Sequence, residues 1–261
     1  MKVADKSTEG PAHSSEPAGN ARVSVVVPAL NEEGQIGTVV RAVPRDIASE
    51  VIVVDNGSTD HTARRAQEAG ARVVAEPLHG YGRACRAGLN AVAADCEIVV
   101  FLDGDGSDCP ELIEKLVRPI AAGTTDFVIG SRTRGEREQG SMNFQQIFAG
   151  RVAGLLLQLL YGVRYTDMSP FRAIRRKALD QLGMREETYG WNLEMQMRAA
   201  RAGLRILEVP VNHRRRAGGE SKVSGKLRGT FLAAGRIMTT LVRVALEPDQ
   251  ARNNRDGSEK S

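Results

Sequence analysis

The sequence predicts an α/β protein built on a doubly wound, mostly parallel sheet. Two observations carry that expectation. Short runs of consecutive apolar, largely β-branched residues recur at Val23–Val27, Val51–Val54 and Ile98–Leu102, and such runs read as strands buried on both faces. Each run ends in a polar, acidic loop that leads into a helix-like segment. Repeated βα units of this length join right-handedly into a parallel sheet.

In chain order, Val23-Ser24-Val25-Val26-Val27 ends in Pro28-Ala29-Leu30-Asn31-Glu32-Glu33, where Asn31 or Glu32 can cap the next helix. Val51-Ile52-Val53-Val54 ends in Asp55-Asn56-Gly57-Ser58-Thr59-Asp60-His61-Thr62, with Ser58 to Asp60 as caps. Arg72-Val73-Val74-Ala75 follows, then a Gly-rich loop, a helix around Ala84 to Ala94, and the strand Glu97–Leu102. Three acidic loops therefore line one sheet edge, the carboxyl edge at which open α/β sheets bind ligands.

The most telling of these loops is Asp103-Gly104-Asp105-Gly106-Ser107-Asp108. Gly104 and Gly106 permit a sharp turn, so Asp103 and Asp105 can converge on one point. Two carboxylates in a small space repel, and a hard divalent cation holding phosphate oxygens removes the conflict. An acidic surface turn is the plain alternative. A calcium loop fits worse, because Asp108 stands where that loop needs glycine and a strand rather than a helix leads in.

The basic run His213-Arg214-Arg215-Arg216, followed by Gly218-Gly219, Ser221-Lys222, Lys226 and Arg228, suits a diphosphate. Arg216 can bind it bidentately, Lys222 adds a point charge and Ser221 a hydrogen bond. A solvated loop is the alternative. Nucleic acid is not expected, because only 4% of residues are aromatic and none interleave with the cluster. The segment Leu78 to Arg86 is Gly-rich, but it lacks G-x-G-x-x-G spacing and does not follow the first strand, which argues against a dinucleotide cofactor.

With 261 residues, 41% hydrophobic and 26% charged, the chain can bury one sizeable core. A net charge of +4 and pI near 9.1 suit phosphorylated or membrane-surface partners. Cys85, Cys96 and Cys109 have no metal-ligand spacing and read as small buried side chains in a reducing compartment. Residues 1–21 and 248–261 are polar and read as disordered tails, with no signal peptide or anchor. Val152–Leu160 falls short of the ~20 apolar residues a membrane span needs and reads as a core or membrane-facing helix. In Thr230–Leu246, Arg236, Thr239, Thr240 and Arg243 share one sector opposite Ile237, Met238, Leu241 and Val244. That pattern fits a helix packed on the domain or lying in a membrane interface.

Taken as an ordered set, Pro28–Glu33, Val54–Asp60, Leu102–Asp105, Gly130-Ser131-Arg132, Asp167–Arg172, Tyr189–Met195 and Arg216–Lys222 resemble the inverting family 2 glycosyltransferases. The resemblance spans about Val23 to Lys226 and is strongest to the polyprenyl-phosphate (dolichyl-phosphate) mannosyl- and glucosyltransferases. It implies the GT-A nucleotide-diphospho-sugar transferase fold, a Rossmann-like sheet flanked by helices, over residues 22–228, with an amphipathic helix at 229–247. It also implies Mg²⁺ or Mn²⁺ held by Asp103 and Asp105, Asp105 foremost. Pro28, Leu30, Glu32 and Asp55 would hold the base and ribose of a nucleoside diphosphate sugar, with Asp103, Ser221 and Lys222 completing the donor site. Arg132 and Arg216 would stabilise the leaving diphosphate, Trp191 (with Tyr189 and Asn192) would shape the sugar or acceptor pocket, and Glu194 stands where members acting on hydroxyls carry a catalytic base. The implied acceptor is a polyprenyl phosphate, used by a cytoplasmic enzyme peripheral on the inner face of the membrane. A hydroxyl acceptor, or a non-catalytic nucleotide-sugar binder, are the alternatives. Three departures bear on sugar and base preference: Gly106-Ser107 in place of Leu-Gln after the metal pair, Asn56 in place of a second aspartate, and Phe171 in place of glycine.

Overall fold

Alternation along the strands explains why they read as unbroken apolar runs. In the computed structural model, which describes residues 21–142, 144–216 and 239–247, Val23, Val25 and Val27 of β1 (Val23–Ala29) enter one core cluster while Val26 enters another. Strand β2 (Ala48–Asp55) splits likewise, Val51 and Val53 against Ile52 and Val54, and β4 (Ile98–Phe101) sends Ile98 and Val100 one way and Val99 and Phe101 the other. Both faces of the sheet are covered, so both registers of each strand must be apolar.

The first face carries α1 (Ile36–Ala42), α2 (Thr62–Glu68) and α4 (Ile113–Ala121), through residues such as Ile36, Val40, Ala66, Leu116 and Ile120. The second carries α3 (Tyr81–Ala91), α5 (Phe144–Tyr161), α6 (Arg176–Leu182) and α7 (Trp191–Arg201), through Ala84, Leu157, Leu179 and Trp191. With β3 (Arg72–Ala75), β5 (Phe127–Ser131), β6 (Arg172–Arg175) and β7 (Ile206–Pro210), the described strands form one seven-stranded sheet in the order β3-β2-β1-β4-β6-β5-β7. All pairs are parallel except those of β6, which runs antiparallel to β4 and β5. The sheet is thus mostly parallel, as expected, with one reversed strand in its second half. Helix α3 begins at Tyr81, earlier than the sequence indicated.

Register then sets the site. Val26 pairs with both Ile52 and Phe101, so β1, β2 and β4 end at nearly one level and their acidic loops meet. Gly104 is packed so closely that a side chain there would meet Ile36, Ala29 and the Pro28 carbonyl. This holds the Asp103–Asp105 turn against the β1 loop. All three cysteines are free and buried. No helix among the described residues is long and apolar enough to cross a membrane. The tail readings (residues 1–20 and 248–261), the 229–238 part of the amphipathic helix, and Ser221 and Lys222 lie outside the described residues.

Candidate active site

Two loops form the first wall. Asn31 adopts φ +52, the left-handed turn that asparagine tolerates, and its Oδ1 accepts the Thr59 amide at 2.8 Å. The Asn31 and Glu32 amides donate to Ser58 Oγ (2.9 Å) and Thr62 Oγ1 (2.7 Å). Asp55 accepts the Ser58 amide at 3.0 Å. Burial pushes the Asp60 carboxyl up, but the Thr62 hydroxyl and amide outweigh it and hold that carboxyl below its usual range. The loops after β1 and β2 are therefore one laced unit. Glu32 and Asp55 stand on it, with Pro28 buried behind and Leu30 half-buried.

Asn56 accounts for one departure from the family pattern. Its Nδ2 donates to the carbonyls of Glu76 (3.0 Å) and Leu78 (2.7 Å), while its Oδ1 accepts the Gly80 amide at 2.8 Å. Only an amide can donate twice and accept once here; an ionised aspartate would face two carbonyls. Ser107 accounts for the second. Its amide and hydroxyl both donate to Asp105 Oδ1, at 2.9 and 2.6 Å, fixing that carboxylate. Phe171, the third, is fully buried in the core.

The centre of the site is a crowded acidic cluster. Asp103 Oδ1, Asp108 Oδ1 and His213 Nδ1 are all buried without a hydrogen-bond partner, and His213 Nδ1 lies 3.7 Å from Asp108 Oδ1. Burial first, and then the charges of Asp105 and Asp108, push the Asp103 carboxyl well above the usual carboxylate range. Buried polar atoms left unpaired cost stability, and a divalent cation at the Asp103–Asp105 turn would offset the repulsion between its carboxylates. The Asp103–Asp105 turn therefore fits a metal, with Asp105 and Asp103 as the available donors and Asp108 and His213 beside them. Among the described residues no three His, Cys, Asp or Glu side chains come close enough together to hold a metal ion by themselves. That agrees with a cation of the Mg²⁺ type, which takes one or two carboxylates and leaves its other positions to phosphate oxygens and water.

Arg216 crosses this centre. Its guanidinium pairs with Glu32 and lies 3.4 Å from Asp105 Oδ2, bridging the loop after β1 and the Asp103–Asp105 turn. The strap that carries it is pinned by the Arg214 amide on the Ser107 carbonyl (2.9 Å), by Arg214 on Glu111, and by the Arg215 amide on Glu138 (2.7 Å).

Three expected site residues occupy other settings. Arg132 is gripped by Asp167, which accepts its Nε (2.9 Å), Nη2 (2.8 Å) and backbone amide (2.9 Å). Its fork is a fixed positive charge behind the cluster, not a free clamp. Trp191 is fully buried and meets Phe101 edge-on, with ring centroids 6.3 Å apart, so it is a core aromatic whose only polar atom, Nε1, lacks a partner. Glu194, expected among the catalytic residues, is 0% exposed. One of its oxygens accepts the amides of Arg185 (2.9 Å) and Glu186 (2.6 Å), and the other meets Arg198 (3.0 Å) and Arg243 (3.2 Å). A base needs an oxygen open to substrate, and Glu194 has none: it is a structural hub.

Sequence reasoning missed His213, Asp108 and Asn56 as site builders. His213 was hidden in a run of arginines and Asp108 served only to dismiss a calcium loop. The available clue was position, since His213 follows the run Ile206-Leu207-Glu208-Val209, which forms β7, as Asp103 follows β4.

A family model described as Glycosyl transferase family 2 matches residues 24–183. The chain is 40% identical over 220 residues to an uncharacterised glycosyltransferase of Mycobacterium tuberculosis, covering 83% of this chain and 95% of that one. It is 35% identical over 230 residues to a dolichyl-phosphate hexose transferase of Haloferax volcanii, covering 86% and 94%. Among solved structures it resembles glucosyl-3-phosphoglycerate synthase of M. tuberculosis in complex with Mn²⁺ and UDP-glucose, at 28% identity and TM-score 0.67, covering 89% of this chain and 82% of that one.

Proposed function

We propose that this chain, which belongs to glycosyl transferase family 2 and has the GT-A fold, moves a hexose from UDP-glucose or GDP-mannose to a polyprenyl phosphate with inversion at the anomeric carbon. The observation that carries the donor half is the Asp103–Asp105 turn, with the buried, partnerless Asp103 Oδ1, Asp108 Oδ1 and His213 Nδ1 beside it and Arg216 tying Asp105 to Glu32. Such a set suits a divalent cation and a diphosphate and has no role in an apolar core. When bound, Mg²⁺ or Mn²⁺ would supply charge neutralisation at the departing diphosphate.

The protein's own groups then act by position. Glu32 and Asp55 accept hydrogen bonds from base and ribose. Arg216, drawn off Glu32 and Asp105 as donor enters, turns its planar fork to the diphosphate. Arg132, held by Asp167, contributes fixed positive potential. Ser221 and Lys222 are assigned to the diphosphate by sequence alone.

The acceptor half rests on the engagement of Glu194. A hydroxyl must lose a proton as it attacks and so needs a base, whereas a phosphate monoester, with a second pKa of about 6, is largely ionised at neutral pH. The name of the Haloferax relative points the same way. A hydroxyl acceptor is the second reading, favoured by the name of the glucosyl-3-phosphoglycerate synthase neighbour.

The test offers each nucleotide sugar with Mn²⁺ or Mg²⁺ to polyprenyl phosphate and, separately, to 3-phosphoglycerate. A lipid-linked hexose is expected, lost in Asp105→Ala and on chelation while the fold persists. Chelator-resistant transfer would remove the metal, and a glycosylated phosphoglycerate alone would replace the acceptor.

A further inference from the structure

Helix α5 is apolar on both sides, but among the described residues only one side is covered. Gly150, Ala153, Gly154 and Leu157 face inward. A side chain at Gly154 would overlap the Tyr165 carbonyl oxygen, so the helix lies directly on the segment leading to Asp167. At 100° per residue, Val152, Leu155, Leu159 and Leu160 fall on the other side. They are 40, 57, 74 and 49% exposed, with Leu156 half-buried among them. Single exposed leucines are ordinary, whereas a contiguous arc of them on one helix marks an interaction surface.

Charge identifies the partner. No Asp or Glu occurs between Glu138 and Asp167, and the charges bordering the arc, Arg151 and Arg164, are cationic and exposed. An apolar arc flanked in the chain by arginine and by no carboxylate suits an anionic bilayer, into whose headgroup region such a helix can settle without spanning. The arc is also tied to the active site. Thr166 bonds Ser131 (2.7 Å) and Asp167 grips Arg132, so both ends of the α5 excursion return to the cationic wall of the site.

We propose that the Val152–Leu160 arc of α5 docks the enzyme on an anionic lipid surface, bringing the Arg132 wall to headgroup level. The idea rests on the lipid-acceptor reading for its purpose, since an enzyme with a water-soluble acceptor would have no use for it. The experiment separates the two. Full-length protein is sedimented with neutral phosphatidylcholine vesicles and with vesicles containing about 30% phosphatidylglycerol, neither holding polyprenyl phosphate. Binding to the anionic vesicles is expected. Leu155→Asp or Leu159→Asp should weaken it by about tenfold or more, and Arg151→Gln with Arg164→Gln should erase the preference for anionic lipid. Melting temperature should be unchanged in all.

Three results would overturn the proposal. Wild-type protein could ignore both vesicles. The aspartate variants could melt early, meaning that the chain itself covers the arc. Light scattering could find a dimer that Leu159→Asp splits, meaning that a second copy covers it. A short-chain, water-soluble polyprenyl phosphate supplies the remaining control: Leu159→Asp should glycosylate it as the parent does, and failure of the parent to do so would count against the acceptor and leave the docking result standing.

Discussion

His213 and Asp108 face each other across 3.7 Å with neither buried atom hydrogen-bonded, and a small movement would let them bond simply to each other. The two roles are separable. If His213 is a metal donor, His213→Ala should weaken Mn²⁺ binding in the presence of UDP by at least about tenfold, read by calorimetry. Unchanged Mn²⁺ affinity with a lower melting temperature would make the pair purely structural. Glu194 gives the opposite expectation. With Arg198 and Arg243 paired to it and 0% exposure, Glu194→Gln should cost about 3–5 kcal/mol of stability in a urea melt, the scale of a broken buried ion pair. Turnover per folded molecule should change less than tenfold. A fall of roughly 10²–10⁴-fold, the worth of a positioned base, in a folded variant would restore a catalytic role and with it a hydroxyl acceptor.

At the scale of elements, close approach outweighs intrinsic preference. Gly154 sits inside α5, where alanine would ordinarily add about 1 kcal/mol of helix stability. Its side chain would overlap the Tyr165 carbonyl, however, and backbone cannot step aside as a flexible side chain can. Gly154→Ala should therefore destabilise by about 1–3 kcal/mol, the usual cost of overpacking, and should loosen the Arg132–Asp167 grip that Thr166 supports. A melting temperature at or above the parent's would refute that packing. The 239–246 helical segment shows a related override. Leu241 and Val244 of its apolar sector pack on the core as expected, yet Thr240 and Arg243 of the opposite sector also turn inward to Glu186, with Arg243 also meeting Glu194. The buried carboxylates of the 186–194 region supply partners that no helical wheel can display.

Across the whole molecule, the two halves of the sheet are held differently. The parallel half relies on paired apolar registers, and the half with the reversed strand adds a polar clasp. Asp126, just before β5, accepts Nε (2.9 Å), Nη2 (2.7 Å) and the amide (3.1 Å) of Arg205, just before β7, and lies 3.7 Å from Arg175 on β6. The Arg205 hydrogen bonds chiefly bring the Asp126 carboxyl down from 3.8 to about 2. A lowered folded-state pKa contributes stability that is full above the unfolded value and disappears as pH falls through the folded one. Asp126→Asn should thus cost about 1 kcal/mol at pH 7, discounted because Arg205 is solvent-screened. The gap between variant and parent should close between about pH 4 and pH 2. Urea melts at the two ends of that window check it, and a gap constant with pH would assign the effect to packing.

The amino-acid sequence by itself determined the first four strands of the sheet, their carboxyl edge and the acidic turn at Asp103–Asp105, because strands buried on both faces must be apolar in both registers and their loops must carry the chemistry; β5, β6 and β7 emerged only with the structure. It placed Glu32, Asp55, Asp105 and Arg216 in one neighbourhood, and the structure brings Glu32, Asp105 and Arg216 into contact. It could not show that β6 runs backwards, since four residues carry no direction. Nor could it distinguish Glu194 as hub from Glu194 as base, because a carboxylate's role depends on which donors reach it, and these come from residues 185, 186, 198 and 243. His213 and Asp108, more than a hundred positions apart, acquire meaning only once the strap after β7 folds over the β4 loop. Tertiary structure decided these roles because charge and hydrogen bonding act through space, and their partners are set by the fold and not by neighbourhood in the chain.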